Sequence, residues 1–227
     1  MKPLYLSLIC VLIVLTCQSD KKKEDVLGEE KTQLTTAEKI AVAHGIENWD
    51  NVKNVEFTFK VIRDGRSGHG RRWVWDTKTG EISLGSSLGA LKYNRNKIDS
   101  ISLDADKAFI NDKYWLLVPF QLVWDTTATI SESKKMVSPI KKDTLQMITI
   151  TYPNEGGYTP GDAYDIYYDK NYMIKEWVFR EGNSKEPTLT NTFENYQDFN
   201  GIKIAIDHKK EGGNWNLNFT DVSITVE

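Results

Sequence analysis

The chain has 227 residues, 40% of them hydrophobic and 11% aromatic, with 29 Lys+Arg against 32 Asp+Glu and a formal net charge of -3. That even balance leaves no electrostatic footprint for nucleic acid, which calls for a clustered excess of cations. Its two cysteines, Cys10 and Cys17, both lie near the N-terminus, so the rest of the chain can form no disulfide and must be held by its core.

In chain order, Lys2 supplies a positive start, and Leu4 to Leu15 (LYLSLICVLIVL) is apolar apart from Tyr5 and Ser7. A stretch of that length falls short of the roughly 20 residues that cross a bilayer. It suits the h-region of an export signal. The next residues, Val14-Leu15-Thr16-Cys17, resemble the lipobox of bacterial lipoproteins, which implies cleavage after Thr16 and a lipid on Cys17. Thr16 departs from the usual Gly, Ala or Ser before that cysteine. An ordinary signal peptide with an incidental cysteine, and a permanent membrane anchor, are the other two readings. Cysteine usage favours the lipid, because a lone Cys17 would otherwise be an exposed thiol, and two or more acyl chains anchor stably.

Residues 17–33 read as a flexible tether: after Cys17 comes QSDKKKEDVLGEEKTQ, which is charged and nearly free of large apolar groups. Lys21 to Lys23 are followed at once by Glu24 and Asp25, which cancel much of their field. Gln18 is not the aspartate that retains lipoproteins in the inner membrane of well-studied Gram-negative systems. The expected address is therefore the cell envelope, lipid-anchored, with the outer membrane favoured and the membrane as a partner through the N-terminal lipid.

From residue 34 to residue 227 there is chain enough for one domain. A helix is expected at its start, capped by Thr35 or Thr36, with Glu38 completing a capping box, Gly45 as the stop, and Ile40, Ala43 and Ile46 facing inward. After Trp49 the period changes to two. Val55, Phe57, Phe59 and Val61 alternate with Glu56, Thr58 and Lys60, as in a strand with one buried face.

Turn residues then mark hairpins at Asp64-Gly65, Thr79-Gly80, Asn200-Gly201 and Gly212-Gly213. Between the halves, Leu103 to Trp124 is too apolar for a surface loop and predicts short helices, with Pro119 interrupting the second. From Asp162 onward an antiparallel meander is expected: Ala163 to Tyr168, Tyr172 to Arg180, Thr188 to Phe199, Ile202 to Lys209 and Trp215 to Val226. No βαβ alternation occurs. The expected fold is mainly β: a single strongly curved antiparallel sheet of about nine to eleven strands, a half-barrel with an N-terminal helix and a helical plug on its concave face.

An N-terminal helix, a curved meander and a plug behind a lipobox resemble the lipoprotein-carrier fold, the LolA/LolB-like half-barrel. Asn111 to Phe120 (NDKYWLLVPF), Gly156 to Tyr164 (GGYTPGDAY) and Tyr196 to Ile202 (YQDFNGI) look like signatures of uncharacterised exported lipoproteins of that fold. The resemblance implies a cavity for acyl chains or another apolar ligand. The basic residue with which the carrier controls lipid binding has no matching position in this chain.

The residues independently permit a cavity. Trp73 and Trp75 share one strand face, Phe57 and Phe59 share another, and Tyr114, Trp115, Phe120 and Trp124 come from the plug. These eight are the candidate cavity residues. The same residues serve equally well as plain core packing. Chemistry is poorly supported. His44, His69 and His208 have no metal-ligand spacing and read as surface or capping residues. Gly65 to Gly70 (GRSGHG) lacks the second glycine of a nucleophile elbow and leads into a strand. Asp162, Asp165 and Asp169 read as turn or face residues, and no glycine loop precedes a helix to cradle phosphate. No cofactor, metal site or enzyme activity is expected. A tethered module binding a lipid or other apolar molecule leads, and an envelope interaction or sensor protein is the alternative.

Overall fold

The computed structural model describes residues 33–87, 89–156 and 159–227. The expected export signal, Cys17 and nearly all of the expected tether lie outside the described residues. Helix α1 (Thr36–Ala43) forms as expected. Thr35 Oγ1 accepts from the Glu38 N–H, and the Glu38 carboxylate accepts from the Thr35 N–H at 2.7 Å, a complete capping box. Its buried residues are Ala37, Ile40 and Ala41; Ala43 and Ile46 are only half-buried. At the far end Gly45 has φ +92°, and a Cβ there would come within 1.8 Å of the Gly201 carbonyl oxygen. Only glycine permits that approach. A short 3-10 segment (Ile46–Asn51) then leads into the sheets.

Among the described residues fourteen strands follow, more than expected. They are β1 (Val52–Arg63), β2 (Arg66–Ser67), β3 (Arg71–Asp76), β4 (Glu81–Ser86) and β5 (Gly89–Asn94) before helix α2 (Leu103–Trp124). After it come β6 (Thr129–Ile130), β7 (Lys134–Val137), β8 (Thr144–Thr151), β9 (Ala163–Tyr168) and β10 (Ile174–Arg180). The last four are β11 (Leu189–Thr192), β12 (Glu194–Phe199), β13 (Ile202–Lys209) and β14 (Trp215–Val226). All pairings are antiparallel. The Asn200-Gly201 turn has φ +53° and +84°, two positive values in succession, which Asn and Gly tolerate best.

The expected single sheet is two. One runs β12-β13-β14-β1-β3-β4-β5 with β2 beside β1; the other runs β11-β10-β9-β8-β6 with β7 beside β8, and neither closes. The separation falls inside the run expected to be one strand, Thr188 to Phe199. Its first half pairs with β10 and its second half with β13. Where β11 passes β13, side chains take the places a ladder would need. Asn191 Nδ2 donates to the His208 carbonyl at 3.4 Å, and the Lys209 N–H donates to Thr192 Oγ1 at 3.0 Å. Two polar side chains thus satisfy the main-chain groups that would otherwise have zipped the sheets together.

The plug is helical as expected, its two parts meeting across a kink at Leu117 (φ -124°, ψ 28°) ahead of Pro119. Proline removes a backbone donor and crowds the carbonyl four residues back, which kinks a helix here without ending it. Every residue from Asp112 to Leu122 is buried, and α2 reaches both sheets. Asp112 bonds Arg71 and Trp73 of β3, while Tyr114 and Trp115 meet Trp177 of β10. One hydrophobic core therefore joins α1, α2 and both sheets. A small second cluster of Met147, Tyr167 and Val178 covers the other face of the second sheet. Among the described residues no helix is long and apolar enough to cross a membrane.

Candidate functional site

All eight aromatic candidates belong to the packed core, Trp75 and Trp124 being half-buried and the rest buried. Phe57 and Phe59 pack edge-on against Phe219 at 5.8 and 5.9 Å, and the Arg71 guanidinium lies 4.8 Å from the Phe59 ring centre. Trp73 and Trp75 both meet Phe109 edge-on at 5.4 and 5.5 Å. Phe120 and Trp124 close around Trp49 at 5.7 and 4.9 Å. Such edge-to-face contacts fill space and stabilise by about 1 kcal/mol each beyond the area they bury.

Two of the buried ones, Tyr114 and Trp115, also line a cleft of about 340 Å³ between the first half of α2 and the second sheet. Helix α2 contributes Ile110, Tyr114 and Trp115. The facing strands contribute Tyr164, Trp177, Phe179 and Leu189, and Lys107, Asn111, Thr159 and Asp162 complete the lining. Its aromatic wall is continuous: Tyr164 stacks on Phe179 at 5.0 Å, lies 5.0 Å from Trp177 and 5.2 Å from Tyr114, and Trp115 meets Trp177 at 4.4 Å. Burial pushes the Tyr114 and Tyr164 hydroxyls above the usual phenol range, so the wall stays uncharged across ordinary pH. Tyr114 Oη lies 2.9 Å from Tyr152 Oη. The Asp162 carboxylate accepts the Gly182 N–H at 2.8 Å. The volume is near the lower end of the range for small-molecule pockets, about 300 to 1,000 Å³.

Sequence reasoning missed the strand side of this cleft. Trp177 and Phe179 alternate along β10 in the period of a buried face, and that signal could have found them. Tyr164 and Leu189 reach the same wall only through the pairing of β9, β10 and β11. Gly157 and Tyr158, quoted with the neighbouring loop, lie outside the described residues.

Polar clusters around α2 tie the fold together. The buried Asp112 carboxylate accepts from Arg71 Nε and Nη2 at 2.7 Å each, from Trp73 Nε1 at 2.8 Å and from Asn111 Nδ2 at 2.9 Å. Asp106 accepts from Arg95 Nε at 2.8 Å and from the Tyr93 hydroxyl at 3.2 Å. On another side of α2, Lys113 sits with its ammonium 5.8 Å from the Trp75 ring and 5.9 Å from Trp124. Burial pulls its pKa down to about 7, with the Arg95 charge pressing the same way.

The histidines separate. His44 is buried at the end of α1, its Nδ1 2.8 Å from the Ile40 carbonyl, the capping role expected. His69 is exposed. His208 is buried, a correction to its reading as a surface or capping residue: it packs edge-on against Phe193, Trp115 and Phe219. Asp165 is half-buried rather than solvated and bonds Arg180 and Thr149. Among the described residues no group of three His, Cys, Asp or Glu side chains is placed to hold a metal ion.

Comparison with protein-family models and with curated proteins gives no match. Among solved structures, the crystal structure of a DUF1329 family protein from Desulfovibrio piger is similar. Its TM-score is 0.41 at 8% identity, covering 83% of this chain and 92% of that one. A likeness of that degree fixes neither a ligand nor a role.

Proposed function

We propose that this chain is an exported lipoprotein, anchored through Cys17 in the cell envelope, that holds a lipid or another apolar molecule in the cleft beside α2. The carrying observation is that α2 buries its own aromatic residues without filling the space against the second sheet, leaving about 340 Å³ lined by Ile110, Tyr114, Trp115, Trp177 and Phe179. Pockets of that size and lining are the usual form of a small-molecule site. The chain from Gln18 onward, which contains every described residue and no acyl chain, should raise the emission of the apolar probe N-phenylnaphthylamine. Leu189→Trp, which fills the cleft, should abolish the rise. No rise in the parent chain, or an equal rise in both, rejects the reading. The address is tested separately: Cys17→Ser should lose lipidation and membrane retention, and unchanged behaviour would remove the anchor.

A second reading, an interaction or sensor protein, draws on the loop before α2. Ile98, Ile101 and Leu103 are 37%, 76% and 45% exposed within six residues, and neighbouring exposed apolar side chains often mark a contact surface. Photo-crosslinking from position 101 in cells would capture one specific protein on this reading and none on the first.

A further inference from the structure

The cleft wall carries a polar group that the domain itself does not serve. Trp177 is 1% exposed and lines the cleft from β10, and its indole Nε1 is buried without a hydrogen-bond partner among the described residues. A buried N–H without an acceptor disfavours the state that holds it. The adjacent Trp115 ring, inclined at 62° with its centre 4.4 Å away, offers at most a π contact, weaker than an N–H···O bond. Ile110, Trp115, Phe179 and Leu189 have no side-chain oxygen to give, and the hydroxyls of the neighbouring Tyr114 and Tyr164 are not placed to accept from the indole.

Building on the cleft reading above, we propose that the occupant is an amphiphile with a neutral acceptor oxygen, a ketone, ester or amide carbonyl, to which the Trp177 indole N–H donates. A pure hydrocarbon leaves that N–H unserved. A carboxylate placed at this depth would carry its charge into an apolar wall, at a cost larger than one hydrogen bond returns; the one cation lining the cleft, Lys107, is exposed at its edge. The nitrogen itself is buried, so the bond requires the indole edge to turn toward the cleft. Away from bulk water the bond meets little competition.

The test titrates the chain from Gln18 onward, with nitrogen-labelled tryptophan, against n-decane and against methyl octyl ketone. The ketone should bind roughly two- to tenfold more tightly and move the Trp177 indole proton downfield, whereas decane should leave it in place. In Trp177→Phe the ketone should lose its advantage and bind no more tightly than decane, because its carbonyl is then buried unpaired. Equal affinities in the parent chain, or a Trp177 resonance that the ketone does not move, overturn the proposal while leaving the cleft reading intact. Binding of neither probe overturns both. The parent-chain comparison decides the matter even if the variant does not fold.

Discussion

His208 makes acid stability a sharp prediction. Its ring is buried among Trp115, Phe193 and Phe219, with Nδ1 3.3 Å from the Leu217 carbonyl and Nε2 without a partner among the described residues. A carbonyl cannot donate, so Nδ1 carries a hydrogen, and burial favours the neutral ring. Burial lowers its pKa from 6.5 to about 4. In the unfolded chain the same histidine takes its proton as pH falls through about 6.5. Between those values the unfolded state binds more protons, so stability falls as pH falls. The loss begins near pH 6.5 and is complete below pH 4. It amounts to about 2 kcal/mol by pH 5 and about 3 kcal/mol in full. His44, also lowered to about 4 chiefly by burial, adds a loss of the same sign and size. Urea unfolding at about pH 7.5 and about pH 5 should therefore show the parent chain losing about 4 kcal/mol, and His208→Gln losing roughly half of that. An equal loss in the two proteins would refute the assignment of this pH dependence to His208.

Three further substitutions probe the elements around the site. Gln121 is fully buried on α2 with neither amide atom partnered among the described residues, so Gln121→Met should raise stability by roughly 1 to 3 kcal/mol, read as a higher melting temperature; a fall would show the amide to be well served. Asp112→Asn weakens the bonds to Arg71 and Trp73 and should cost about 2 to 3 kcal/mol in urea unfolding. The low end of the range for a broken buried pair is expected, because the Arg71 side chain is 38% exposed and can rehydrate. A loss well below 1 kcal/mol would contradict that role. Glu176, buried in β10, accepts from Ser138 Oγ and from the N–H groups of Ile140 and Lys141 at 2.7 to 2.8 Å. Glu176→Gln should cost about 2 kcal/mol and speed hydrogen exchange at Ile140 and Lys141; unchanged exchange there would show that another contact holds the loop.

Local signals carried the sequence reading furthest. The Thr35 and Glu38 capping box, the alternation of Val55, Phe57 and Phe59, and the positive-φ pair Asn200-Gly201 are decided by residues within a few positions of one another, and each stands where expected. Strand β8 was not read. Its residues Met147, Ile148 and Ile150 are buried although they point to opposite sides, because the second sheet is covered by the core on one face and by the Met147, Tyr167 and Val178 cluster on the other. A strand apolar on both sides does not alternate. The division into two sheets was hidden for a different reason: Asn191 and Thr192 show that they replace ladder bonds only once β13 lies beside them. The aromatic candidates share that difficulty. Trp73 and Trp115 look alike in the sequence, yet one bonds Asp112 in the core and the other lines the cleft.

The native occupant of the cleft is the most direct test. The chain, purified from its own membrane and extracted into organic solvent for mass spectrometry alongside Leu189→Trp, should yield one apolar species, near one per chain, that the filled-cleft variant lacks. An extract without any such species, or one equally rich from both proteins, would contradict the account.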